Sequence, residues 1–208
     1  MADLAALTAA IEAGDRATAT ALTTAAIAEG LPPDVILAAM TAAMDEVGRR
    51  FSCNEIYVPE MLISARAMKE SVAILEPLLA AAGIRPEFTA VIGTVKGDLH
   101  DIGKNLVAMM WRGANIEVSD LGANVPPERF VEAAREHKAN LVGLSALLTT
   151  TMVGMRDVVT AIAAAGLPAK VIVGGAPLTA AFADQIGAHG YAPDAASAVE
   201  VATRLART

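Results

Sequence analysis

Histidine is scarce in this 208-residue chain, and one of its three copies lies between aspartates in Gly97-Asp98-Leu99-His100-Asp101-Ile102-Gly103-Lys104-Asn105. A loop imidazole backed by a carboxylate can ligate a metal through one ring nitrogen while the acid holds the other, or it can move a proton. The other residues able to do chemistry are dispersed. They are Asp120-Leu121-Gly122, Ser145 through Thr151 with three threonines, and the pair Gly174-Gly175. Each has a bland alternative. Loop histidines are commonly solvated, hydroxyls after a strand commonly cap helices, and paired glycines commonly turn. A phosphate cradle is the rival for a glycine-rich edge, but neither G-x-G-x-x-G nor G-x-x-x-x-G-K-[ST] occurs there. Cys53, His137 and His189 have no partners at ligand spacing and read as structural or exposed.

These residues acquire meaning from the elements around them. Beyond the linker Ile84-Arg85-Pro86-Glu87, strand-like and helix-like stretches alternate. Strands are expected at Thr89–Val95, Ile116–Leu121, Leu141–Ser145, Lys170–Val173 and near Tyr191. Helices are expected at Gly103–Gly113, Pro126–His137, Thr151–Ala165, Leu178–Ala188 and Asp194–Leu205. Five such units predict a doubly wound parallel sheet, with every unusual residue on a loop at the strands' carboxyl ends, where these folds bind ligands. The glycine pair would let a large group pass close to the backbone.

The first part, to about Gly83, is helical throughout. Leu4, Leu7 and Ile11 form one stripe, and a second helix is expected from Asp15 to Glu29. Val35, Ile36, Ala39, Met40, Ala43, Met44 and Val47 show three-four spacing. Gly48 to Ile56 reads as irregular, and Val58-Pro59-Glu60 opens a long helix to about Ala82. Met40, Met44, Met61 and Met68 sit at helical spacing, which favours core packing. Four helices with short connections predict a small bundle.

Composition narrows the classes. Hydrophobic residues make up 54% of the chain, but charges, Gly or Pro interrupt every apolar run, so no bilayer span is expected. A net charge of −7, with only one Trp, two Tyr and four Phe, excludes nucleic-acid binding by a basic, aromatic-studded stripe. One cysteine excludes an internal disulfide and argues against a thiolate metal cluster. With the acidic start Met1-Ala2-Asp3-Leu4, unlike a signal peptide, this leads to the expectation of a cytoplasmic protein.

Taken together, the motifs resemble the cobalamin-binding module of corrinoid proteins. That pattern is D-x-H-x-x-G, about forty residues, S-x-L, somewhat under thirty, then G-G. Here Asp98-x-His100-x-x-Gly103, Ser145-x-Leu147 and Gly174-Gly175 are separated by 41 and 26 residues. Tyr57-Val58-Pro59-Glu60-Met61 and Ala65-Arg66-Ala67-Met68-Lys69 extend the likeness to the helical half. The chain thus resembles a methyltransferase cognate corrinoid protein, similar to the cobalamin module of methionine synthase.

The resemblance implies an α/β fold with a helical bundle cap (1–84) and a flavodoxin-like, Rossmann-like five-stranded cobalamin-binding domain (88–208). It implies cobalamin with its benzimidazole released from cobalt and replaced by His100 as lower axial ligand. Asp98 would bond the other imidazole nitrogen, and Thr151 would be the hydroxyl-bearing third member of the relay. The relay would take up a proton when His100 leaves cobalt. Ser145 and Thr149 would contact the nucleotide tail, with Gly174 and Gly175 leaving it room, and Leu147 would also bind the cofactor. Asp101, Ile102 and Gly103 would lie at the corrin, and Tyr57, Met61 and Ala67 would shield the methyl group. The implied activity is to carry a methyl group on cobalt, as a subunit of a multicomponent system rather than a complete enzyme. A substrate-specific methyltransferase would load it, and an acceptor methyltransferase using a folate or thiol coenzyme would unload it. A reductive activator is a further implied partner. The alternatives are a cobalamin-dependent sensor or the small subunit of an adenosylcobalamin mutase. The first expects a DNA-binding segment, whereas this sequence opens on the bundle, and its light-sensing members expect a bundle tryptophan, whereas Trp111 lies in the second half. The mutase needs a substrate barrel.

Overall fold

The computed structural model describes residues 3–208; Met1 and Ala2, where the helical half and the N-terminal reading begin, lie outside them. The chain divides into two compact units. One runs through Pro86 and includes Arg112–Asn115, and the other comprises Glu87–Trp111 and Ile116–Thr208.

The first unit carries helices α1 (Leu4–Glu12), α2 (Arg16–Ala28), α3 (Pro33–Ser52) and α4 (Val58–Ala81). Their starts follow from capping chemistry. The Asp3 carboxylate accepts the Ala6 N–H, Asp15 accepts the Thr18 N–H, and Pro33 occupies the first turn of α3. Glu60 reaches back to accept the Tyr57 N–H at 3.1 Å at the head of α4. The apolar spacing becomes a buried face of Leu7, Ile11, Ile36, Met40, Met44, Met68 and Leu75. The stretch Gly48 to Ile56, expected to be irregular, is helical as far as Ser52. Its polar residues lie on a last turn where Arg49 pairs with both Glu46 and Glu55, so solvated charge hides a continuing helix.

The second unit follows β1 (Phe88–Thr94), α5 (Ile102–Gly113), β2 (Ile116–Asp120), α6 (Pro127–Glu136), β3 (Leu141–Ser145), α7 (Thr149–Met152), α8 (Met155–Ala164), β4 (Lys170–Gly174), α9 (Ala180–Ile186), β5 (Gly190–Ala192) and α10 (Ala195–Ala206). The five strands are parallel in the order β2-β1-β3-β4-β5, the flavodoxin-like order expected. Successive strand residues serve opposite faces. Val91, Val142, Val171 and Val173 pack with Phe130, Met155 and Ile162, while Ala90, Ile92, Leu141 and Ile172 pack with Trp111 and Ala198. Trp111 is fully buried, donates its indole N–H to the Ala198 carbonyl at 2.9 Å, and lies against Gly143, where a Cβ would come within 2.8 Å of the ring.

The helix expected over Thr151–Ala165 is two helices. Gly154 N–H donates to the Thr151 carbonyl at 3.0 Å, closing α7 as a tight turn before Met155 begins α8. The apolar pattern runs across this break, which is why periodicity merges the two. Among the described residues no helix is long and apolar enough to cross a membrane.

Candidate functional site

Register aligns the loops that matter. Thr94 pairs with Ser145, Ser145 with Gly174 and Gly174 with Ala192, so the carboxyl ends of β1, β3, β4 and β5 form one row. The loop after β1 and the loop after β3 meet at Asp98. This carboxylate is fully buried and accepts five hydrogen bonds. Its Oδ1 takes the His100 backbone N–H at 3.0 Å and lies 2.7 Å from His100 Nδ1. Its Oδ2 takes the N–H groups of Leu147 and Leu148, at 2.8 and 3.3 Å, and the Thr151 hydroxyl at 2.6 Å.

Burial opposes ionisation of Asp98, but the Thr151 hydroxyl, the His100 and Leu147 N–H groups and the His100 ring outweigh it. The carboxyl is held well below the usual carboxylate range. An ionised carboxylate only accepts, so Nδ1 of His100 carries the proton in this contact. In the neutral ring Nε2 then keeps its lone pair, and the side chain is half exposed, so that nitrogen is available to an incoming ligand.

Residues not singled out as site residues hold the loop in place. Asn124, with φ of 57°, accepts the Gly97 N–H on its side-chain oxygen at 2.8 Å and donates its own N–H to the Asp98 carbonyl at 2.9 Å. The buried Thr94 hydroxyl donates to the His100 carbonyl at 3.1 Å. Lys104 is buried and pairs with Asp120. An Asn that can adopt positive φ is the signal available at position 124; a lysine in a helical first turn reads as surface and gives none.

The remaining candidates fall into three groups. Ser145 and Thr149 stand at the carboxyl end of β3 and the start of α7, and their hydroxyls bond no protein group among the described residues. Gly174 ends β4 and Gly175 follows it, where Gly175 has φ of 139° and a Cβ would drive into the Ala146 carbonyl. This closeness seats the β4 loop against the β3 loop. Asp101 precedes α5, Ile102 and Gly103 open it, and nothing lies within 4 Å of a Cβ at Gly103. Ile102 is 76% exposed, Leu99 74% and Leu147 43%, an unusual display of aliphatic surface beside a polar loop. Tyr57, Met61 and Ala67 belong to the helical unit, where Tyr57 is exposed at the head of α4 and the other two are buried.

Two models of B12 binding domains match the chain, one over residues 88–200 and one over residues 4–76. Dimethylamine corrinoid protein 3 of Methanosarcina acetivorans is 43% identical over 180 residues, 86% of this chain and 84% of the relative. The chain belongs to the corrinoid proteins of methyltransferase systems. A solved cobalamin-binding protein from Desulfitobacterium hafniense superposes with a TM-score of 0.83 at 30% identity, covering 99% of both chains. The methanol:cobalamin methyltransferase complex MtaBC of Methanosarcina barkeri matches with a TM-score of 0.87 at 29% identity, over 98% of this chain and 79% of that one.

The cofactor of this corrinoid protein is accordingly a cobalamin-type corrinoid, and the donor set fits it. Among the described residues no group of three or more His, Cys, Asp or Glu could enclose a metal ion. One imidazole with an open Nε2 suits a metal that brings its equatorial ligands with it, and the exposed Leu99 and Ile102 suit the apolar rim of a macrocycle.

Proposed function

We propose that this corrinoid protein carries a methyl group on its cofactor from a substrate-specific methyltransferase to a second methyltransferase with a folate or thiol acceptor. The cofactor supplies a cobalt that can accept and release a methyl group; the chain supplies its binding, its lower ligand and its control. His100 would hold the cobalt through Nε2. Asp98 holds the ring by Nδ1, which fixes its tautomer and orientation and strengthens the donor nitrogen. Thr151 and the Leu147 N–H keep Asp98 ionised and immobile. Ser145 and Thr149 would contact the nucleotide tail beside Gly174 and Gly175, Leu147 would also touch the cofactor, and Asp101, Ile102 and Gly103 would border the corrin. The assignment of Tyr57, Met61 and Ala67 to the methyl-bearing side rests on the likeness of 57–61 and 65–69 alone. The names of the relatives favour a methylated amine as donor. A reductive activator is a further proposed partner.

The observation that carries this reading is the short contact of His100 Nδ1 with the buried Asp98, which leaves Nε2 open. Its test is reconstitution with hydroxocobalamin, desalting and visible spectroscopy of the wild type and His100→Gly. The wild type should retain one corrinoid per chain, with an axial-ligand spectrum that His100→Gly changes. Incubation with a dimethylamine methyltransferase and dimethylamine should then convert only the wild type at full rate. An identical spectrum in His100→Gly would sink the assignment of the lower ligand.

A further inference from the structure

Lys104 is the third residue of α5, and two physical effects oppose its placement. A cation in a helix's first turn faces the positive end of the helix dipole. Withdrawing an ammonium group from water is also costly unless it is fully paired. Yet its side chain is only 1% exposed. Its Nζ donates to both Asp120 oxygens, at 2.6 and 2.5 Å, and to the Asn105 side-chain oxygen at 2.6 Å.

The pair is wired to the histidine loop. Asp120 closes β2 beside Ile92 of β1, and its Oδ1 also accepts the Gly122 N–H at 2.9 Å. The Gly122 carbonyl accepts the Thr94 N–H at 2.9 Å, and the Thr94 hydroxyl donates to the His100 carbonyl at 3.1 Å. The 122–125 turn that Asp120 organises also carries Asn124, which grips Gly97 and Asp98. Along the chain, Lys104 stands just inside α5, shortly after the non-helical His100.

We infer that the pairing of buried Lys104 with Asp120 at the exposed end of β2 is a positioning element for His100, locking the start of α5 to the end of β2 so that the imidazole stands at a fixed height over the sheet edge. Neither residue touches the ligating nitrogen; both act through Gly122, Thr94 and the α5 start. A loose loop would still bind the macrocycle through the tail-contacting residues but would hold the fifth ligand poorly. The inference rests on the proposed role of His100 as axial ligand.

The experiment uses the full chain loaded with cobalamin, reduced to cobalt(II) and examined by electron paramagnetic resonance. Histidine is supplied with nitrogen-15, so that an axial histidine nitrogen gives a doublet where natural nitrogen gives a triplet. Lys104→Met keeps the length of the side chain without its charge, and Asp120→Asn keeps an acceptor for Gly122. Both variants should retain stoichiometric corrinoid, while the ratio of histidine-on to histidine-off signal falls about tenfold, the lower end of what outer-shell changes cost metal sites. The double variant should lose no more than either single one, because both break the same link. Unchanged ratios in the variants that fold, beside a wild type showing the doublet, overturn the positioning role. A wild type without the doublet instead overturns the ligand assignment for His100. Should Lys104→Met not fold, the Asp120→Asn ratio decides alone.

Discussion

The two edges of the parallel sheet use the same kinds of side chain for opposite ends. At the carboxyl edge His100 donates its Nδ1–H in a hydrogen bond to a buried carboxylate and keeps Nε2 open. At the amino edge His189, just before β5, accepts the Val171 N–H on its own Nδ1 at 2.9 Å. The neutral ring there must carry its proton on Nε2, leaving no lone pair for a metal. Asn140, just before β3, is consumed likewise, accepting the Thr89 N–H on its side-chain oxygen at 2.9 Å. One edge spends polar side chains on completing strands, the other on leaving a nitrogen free. What sits on Nδ1 therefore separates a ligand from a strand cap, and the type of residue alone does not.

The contrast breaks most severely at Asp98. Asp98→Asn nearly preserves shape but replaces one acceptor oxygen with a donor. The amide cannot satisfy the His100 side and the Leu147–Thr151 side together, so buried N–H groups lose their partner. Affinity of the imidazole for cobalt should fall about 10- to 100-fold, read as loss of the histidine-on spectrum. The folded state should also lose roughly 1–3 kcal/mol in urea unfolding. An unchanged axial spectrum would reduce Asp98 to a structural acid and erase the difference between the edges.

Part of that difference is legible in the amino-acid sequence. Topology alone sends the loops after β1, β3 and β4 to one edge, and the spacing of Asp98, His100, Ser145 and Gly174 marks them as belonging together. Illegible are the groups whose side chains are polar but whose role is internal. Lys104 looks like a solvated helix start because sequence does not reveal that Asp120, sixteen residues later, returns beneath it. The α7–α8 break is hidden because the apolar residues Met152, Val153, Met155 and Val158 run across it in the sequence, although burial begins only with α8. The last turn of α3 escapes for the converse reason, since its charges pair with each other across solvent rather than marking a loop.

A smaller effect sharpens the comparison from the other edge. Asn140→Ala removes the acceptor of the Thr89 N–H at an exposed strand start. The loss should be about 1 kcal/mol in urea unfolding, since water can replace part of the bond. Corrinoid stoichiometry and the axial spectrum should not move, because no bond of Asn140 reaches the His100 loop. A change in that spectrum would mean that the two edges are coupled through the sheet and are not independent sites.

The smallest effect is a pH dependence at His189. Burial, and then the charge of Lys170, lower its pKa from the ordinary value of 6.5. Protonation also puts a hydrogen on Nδ1, which can then no longer accept the Val171 N–H. The folded state thus prefers the neutral ring. Its contribution is complete above about pH 6.5, where the unfolded histidine is neutral too, and is lost as pH falls through the depressed folded value. The ring is exposed enough for solvent to screen the charge, so the change should stay below about 1 kcal/mol. His189→Asn places a non-titrating oxygen near the position of Nδ1. The difference in unfolding free energy between wild type and His189→Asn should therefore shift against the wild type as pH falls below about 6.5. This difference cancels His100, His137 and the carboxylates common to both proteins, so a flat profile would show that the Val171 bond does not favour the neutral ring and that the tautomer at the amino edge has been misread.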